Sequence, residues 1–250
     1  MMDAEIMVVP DQEALAHEAA RRFTSLVREA VDSRGRASVV LSGGSTPRRL
    51  FALLAAEPYC NQIPWEQVHL FWADERCVPP EDDGSNYRMA QEILISQVPI
   101  PPDQVHRILG ELAPEVAARA YERDLQDFFC GPRPRFDLVL LGLGEDGHTA
   151  SLFPDSPLLA ERERLVAPAT ASYQGRPAGR ITLTLPAINT ARQVLFLVAG
   201  SAKAGIVESV LRGPGGPFPA QGIRLTAGRL SWLLDAAAAA QLQRQEHGDR

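Results

Sequence analysis

The chain has 250 residues, 45% hydrophobic and 22% charged, enough for a sizeable core in one large domain or two small ones. Lysine and arginine number 25 against 31 acidic residues, and the net charge of −6 argues against a broad nucleic-acid-binding or anionic-membrane surface. It leaves room for a small basic pocket that takes an anionic metabolite. The three cysteines, Cys60, Cys77 and Cys130, have no CxxC or Cys/His spacing, so neither a disulfide framework nor a metal site is expected. An N-terminus with no basic and apolar signal regions, and no apolar run of about 20 residues, point to a cytoplasmic protein with no membrane partner.

Asp11 is placed to cap a helix in which Leu15, Ala19, Phe23, Leu26 and Ala30 recur at three- and four-residue steps. Residues 37–41 read as a buried strand ending at Ser42-Gly-Gly-Ser-Thr-Pro47, and a helix follows from Pro47 to about Ala56. The pattern predicts a strand over 68–72, a polar loop over 73–85 and a helix over 86–96. A connector at 100–103 leads to a helix over 114–129 with proline in its first turn. Residues 136–141 form a strand that runs into Gly142-Leu-Gly-Glu-Asp-Gly-His148. Strands are expected at 181–185 and 194–198, a helix at 201–211 and a Gly/Pro loop at 213–219. A strand at 230–235 and a closing helix over 236–241 complete the series. Strands alternating with helices predict an α/β fold with a mostly parallel sheet covered on both faces. Without an internal repeat or interdomain linker, residues 1–250 are expected to form one domain.

Ligands of such sheets collect beyond the carboxyl ends of the strands, and four of those ends are chemically unusual. After the first strand, Gly43 and Gly44 let the backbone turn sharply, while Ser45 or Thr46 can cap a helix whose start favours a phosphate. A plain strand-to-helix turn explains the same residues about equally well, and the Gly-Lys-Ser/Thr ending of a nucleotide-binding loop is missing. After the second, Asp74 is a candidate acid/base or hydroxyl-binding group, and Arg76 can bind phosphate in a bidentate manner. A surface salt-bridge cluster is the ordinary alternative there. The third contains GxGxxG at Gly142, Gly144 and Gly147, but Pro154 and Pro157 leave no room for the long helix of a dinucleotide site. His148 at its exit, with Asp146 beside it to orient the ring, is instead a candidate proton carrier at neutral pH. After the fourth, Lys203 falls in a first helical turn, where the dipole disfavours a cation unless an anion joins it.

The stretches LSGGSTPRRLF (41–51), FWADERCVPPEDDGSNYRMA (71–90), FDLVLLGLGEDGHTASLFP (136–154), RITLTLPAIN (180–189) and LVAGSAKA (197–204) together resemble the 6-phosphogluconolactonases of the pentose phosphate pathway. The resemblance implies a Rossmann-like fold shared with glucosamine-6-phosphate deaminases and ribose-5-phosphate isomerases. It implies hydrolysis of 6-phospho-D-glucono-1,5-lactone to 6-phosphogluconate, with no metal and no organic cofactor. In its terms His148 is the general base with Asp146 beside it, and Arg76, Arg180 and Lys203 face the phosphate or the polarised lactone. Functional coupling to the glucose-6-phosphate dehydrogenase that supplies the lactone is implied as well. Monomer and dimer both remain open.

Two rivals carry different expectations. Glucosamine-6-phosphate deaminases have a carboxylate shortly after the equivalent histidine, whereas here Thr149-Ala-Ser-Leu-Phe153 intervenes before Pro154 and Asp155. Ring opening and ammonia loss need more proton-transfer groups than lactone hydrolysis, so the missing acid favours hydrolysis. A sugar-phosphate sensor of a transcription regulator would carry a helix-turn-helix segment, and the N-terminal region offers one acidic-leaning helix.

Overall fold

The computed structural model describes residues 4–171, 178–213 and 218–242. Its elements run β1 (Glu5–Val9), α1 (Gln12–Arg34), β2 (Ala37–Leu41), α2 (Ser45–Leu54), α3 (Tyr59–Gln62), β3 (Val68–Trp72), β4 (Asp74–Arg76) and α4 (Asn86–Ile93). They continue with α5 (Pro114–Phe129), β5 (Leu138–Leu141), β6 (Val166–Thr170), β7 (Gly179–Leu183), α6 (Leu185–Ile188), β8 (Gln193–Val198), α7 (Ala204–Arg212) and β9 (Arg229–Asp235).

Helix α1 forms where expected, because the Asp11 carboxylate accepts from Ala14 N at 2.8 Å and Gly35 closes the helix at φ 76°. Its Leu15, Ala19, Phe23, Val27 and Ala30 stripe is buried. Strands β2, β3 and β5 are apolar at nearly every position, and successive side chains point to opposite faces, so their burial at every position but the half-buried His69 shows that both faces are covered. They pair in a six-stranded, all-parallel sheet of order β1-β9-β8-β5-β2-β3. From β2 the chain moves outward to β3, and from β5 it moves the other way to β8 and β9. The crevice between β2 and β5 is therefore the topological switch point, with residues 42–46 and 142–148 at its mouth.

Three strands were not anticipated. β1 pairs in parallel with β9 at the sheet edge, so a strand precedes α1. β4 lies inside the stretch expected to be a loop, and β6 carries Pro168. With β7 they make a small antiparallel sheet of order β4-β7-β6. The chain leaves the parallel sheet for this smaller one at Trp72, where the buried Tyr121 hydroxyl accepts from Trp72 N (2.8 Å) and donates to Trp72 O (3.1 Å). Residues 236–239 form turns where the closing helix was expected, helical backbone begins only at 240, and residues beyond 242 lie outside those described. Of the Gly/Pro loop, 214–217 lie outside the described residues.

At the opposite end of the sheet Asp137 ties β2 to β5. Its carboxylate accepts from Ser38 N and Ser38 Oγ (both 2.8 Å) and from Arg34 Nε at 2.9 Å. Asp137→Ala strands a buried backbone N–H and two cations, Arg34 and Arg192, and is expected to cost about 2–3 kcal/mol of stability in a urea melt.

Candidate active site

The four loops singled out from the sequence converge on one cavity of about 310 Å³ at the switch point. Gly43, Gly44, Ser45, Thr46, Asp74, Arg76, His148, Arg180 and Lys203 line it. Asp146 stands behind His148.

The histidine is placed by its own loop. Gly144 N donates to His148 O (2.8 Å) and Gly147 N to Gly144 O (3.1 Å), which folds residues 144–148 back on themselves. Gly147 turns at φ 82°. Asp146 Oδ1 accepts from His148 N at 3.1 Å and meets His148 Nδ1 at 2.5 Å. A carboxylate on Nδ1 keeps the proton there, so the lone pair of the neutral ring is on Nε2. Phe153 stacks on the imidazole, with centroids 4.3 Å apart. Burial pushes the His148 pKa below its usual range, the Asp146 hydrogen bond and charge and Asp74 oppose that, and Lys203 adds to it. The net direction favours the neutral ring over the imidazolium.

Positive charge comes from three side chains and a helix end. Arg76 and Arg180 are register partners across β4 and β7 and are both buried. The Arg76 guanidinium donates to Gly84 O, and its Nε is buried with no hydrogen-bond partner among the described residues. Two buried arginines that line one polar cavity suit an anionic ligand. Lys203 ends a short 3-10 turn and caps α7 by position. Its pKa is lowered by burial, against the pull of Glu145 and Asp146. At α2 the N-cap is Gly44, with no side-chain cap. Ser45 and Thr46 are thus the first two helical residues rather than capping groups, and Pro47 is the third. The first-turn N–H groups of Ser45 and Thr46 have no intrahelical acceptor, which makes the helix start an anion site.

Two residues that hold Asp74 escaped the sequence reading, Asn86 in the cavity wall and the fully buried Ser151. Asn86 Nδ2 donates to Asp74 O (2.9 Å) and Asp74 Oδ1 (3.2 Å), and Ser151 Oγ donates to Asp74 Oδ2 at 2.6 Å. Asp74 is thereby held as a buried acceptor beside the cavity. A Cβ on Gly43 would lie 1.8 Å from Asn86 Oδ1, so the glycine there makes room for that amide. Nothing local marks Asn86 or Ser151; Ser151 lies 77 residues from Asp74 in sequence. Among the described residues no helix is long and apolar enough to cross a membrane, and no three His, Cys, Asp or Glu side chains are grouped to hold a metal ion.

An imidazole–carboxylate pair facing two arginines, a lysine and a helix start, at the switch point of a parallel α/β sheet, defines an enzyme site for a small anionic substrate. Residues 10–232 match the family described as glucosamine-6-phosphate isomerases/6-phosphogluconolactonase, and the chain belongs to that family. It is 40% identical to a 6-phosphogluconolactonase of Synechocystis, over 97% of this chain and 100% of the relative. To one of Streptomyces coelicolor it is 42% identical, over 96% and 95%. Among solved structures it is similar to the Trypanosoma brucei 6-phosphogluconolactonase, with TM-score 0.87, 31% identity and coverage of 97% of this chain and 100% of that one. A monomeric glucosamine-6-phosphate deaminase shares the fold at TM-score 0.82 and 21% identity, covering 95% of this chain and 99% of its own.

Proposed function

We propose that this chain is a 6-phosphogluconolactonase that hydrolyses 6-phospho-D-glucono-1,5-lactone to 6-phosphogluconate in the pentose phosphate pathway, with His148 as the general base. The observation that carries the mechanism is the partly buried His148–Asp146 pair, with His148 opening onto a cavity lined by Arg76, Arg180 and Lys203. A lactone is an activated ester, so attack by water needs a positioned base and no covalent nucleophile. His148 Nε2 takes a proton from water as its oxygen adds to C1, and Asp146 stabilises the imidazolium that forms. The cations and the N–H groups of Ser45 and Thr46 share the substrate phosphate and the oxyanion of the tetrahedral intermediate. The imidazolium then returns the proton to the departing ring oxygen, and the carboxylic acid product ionises. No organic cofactor or metal takes part in this scheme. The chain works as a single cytoplasmic domain, functionally coupled to the glucose-6-phosphate dehydrogenase that makes the lactone.

Lactone hydrolysis is separable from the deaminase chemistry of the same fold. Freshly generated lactone, corrected for spontaneous hydrolysis, is expected to be turned over, and glucosamine 6-phosphate to release no ammonia. Ammonia release without lactone turnover would overturn the proposal.

A further inference from the structure

Strand β4 places three charged residues in a row, and only two of them line the cavity. Alternation along the strand sends Asp74 and Arg76 to one side and Glu75 to the other, where it is 3% exposed. Its carboxylate is fully used. Oε1 accepts from Arg76 N (2.8 Å) and Asn86 N (2.7 Å), and Oε2 accepts from Ser85 Oγ (2.9 Å) and Tyr87 N (2.8 Å). Three of these donors belong to the turn that starts α4, and the fourth is the backbone of Arg76 itself. The same turn supplies Gly84 O, which accepts from the Arg76 guanidinium. It also supplies Asn86, whose amide holds Asp74.

We propose that Glu75 is a positioning residue for substrate binding: through the 84–87 turn it sets Arg76 and Asn86 against the cavity without touching the substrate. An uncharged clamp would hold a turn at lower cost. All four partners donate, which suits a carboxylate rather than the neutral acid, while burial works the other way and raises the Glu75 pKa. A glutamine cannot replace it. One amide NH₂ would face either Arg76 N and Asn86 N or Ser85 Oγ and Tyr87 N, and each pair includes at least one backbone N–H that cannot turn round to accept. The His148–Asp146 pair belongs to a different loop.

The inference rests on the lactonase reading, and the test separates the two. Wild type, Glu75→Gln, Arg76→Ala and the double variant are assayed on the lactone, with calorimetric binding of 6-phosphogluconate and a thermal melt of each. Glu75→Gln is expected to raise KM and weaken product binding by about tenfold or more, with kcat within about threefold of wild type and its acid limb unmoved. Added to Arg76→Ala it should cost less than about threefold more, because most of its effect runs through Arg76 and only the remainder through Asn86. Ser85→Ala, which removes one donor and keeps the charge, serves as the variant that folds, with KM raised about threefold. The role of Glu75 is overturned if Glu75→Gln leaves KM and product binding at the wild-type values. It is also overturned if the Glu75 and Arg76 losses multiply in full, or if the loss merely tracks unfolded protein. A wild type that neither binds 6-phosphogluconate nor hydrolyses the lactone would remove the lactonase reading itself.

Discussion

His148→Ala is expected to lower kcat/KM for the lactone about a thousandfold, the middle of the range for a general base and equivalent to about 4 kcal/mol of transition-state stabilisation. The cations and helix start remain, so 6-phosphogluconate should bind the variant within a few-fold of wild type. The pH profile gives an independent check. In the proposed mechanism His148 is the neutral base, so activity is expected above its pKa and is lost as pH falls through it. Burial sets that pKa below the usual histidine value, and the acid limb should therefore lie on the acidic side of 6.5. Asp146 opposes that lowering. Asp146→Asn should accordingly move the acid limb to still lower pH while reducing the plateau rate, since the charge that stabilises the imidazolium is gone. An acid limb that shifts upward in Asp146→Asn, or a His148→Ala enzyme near wild-type activity, would reject His148 as the base.

The parts of the fold that were legible in the sequence are those where local pattern and global burial agree. β2, β3 and α5 match their expected limits, because an apolar run or a 3.6-residue stripe has one good reading when it is flanked by polar or turn residues. The missed strands break a local rule for a non-local reason. β4 is Asp-Glu-Arg, a composition that reads as a solvated loop, and it is buried only because β7 and the α4 turn supply partners. β6 contains Pro168, tolerated because β6 pairs only with β7 and lies at the edge of the small sheet. β1 has Ile6 and Val8 exposed, so its five residues carry no clear alternation. The site divides in the same way. His148 and Asp146 sit two apart in a glycine-rich loop and announce themselves, whereas Asn86, Ser151 and Glu75 gain their importance from contacts that only the folded chain makes.

The three glycines that imitate a nucleotide motif do three different things, and the sharpest test falls on the middle one. Gly144 has a backbone that any residue can adopt, since it is not among the positive-φ glycines. A Cβ there would nevertheless lie 2.0 Å from His148 Nδ1 and 2.6 Å from Asp146 Oδ1. Gly144→Ala must therefore push the imidazole and the carboxylate apart while leaving the loop backbone unstrained. The expected loss is about a hundredfold in kcat, the size of effect that follows from displacing a catalytic group by about an ångström. KM should change little, because the cations lie on other loops. Gly147 instead needs its φ of 82° and abuts Phe218, so Gly147→Ala should cost stability as well as activity. At Gly142 a Cβ meets nothing within 4 Å. The Gly142→Ala protein should keep the His148–Asp146 hydrogen bond, seen as an unaltered imidazole nitrogen shift by NMR, whereas Gly144→Ala should lose it. If Gly144→Ala retained both that signal and wild-type kcat, the glycine would be a simple turn residue, and the compact His148–Asp146 geometry would not be what drives water onto the lactone.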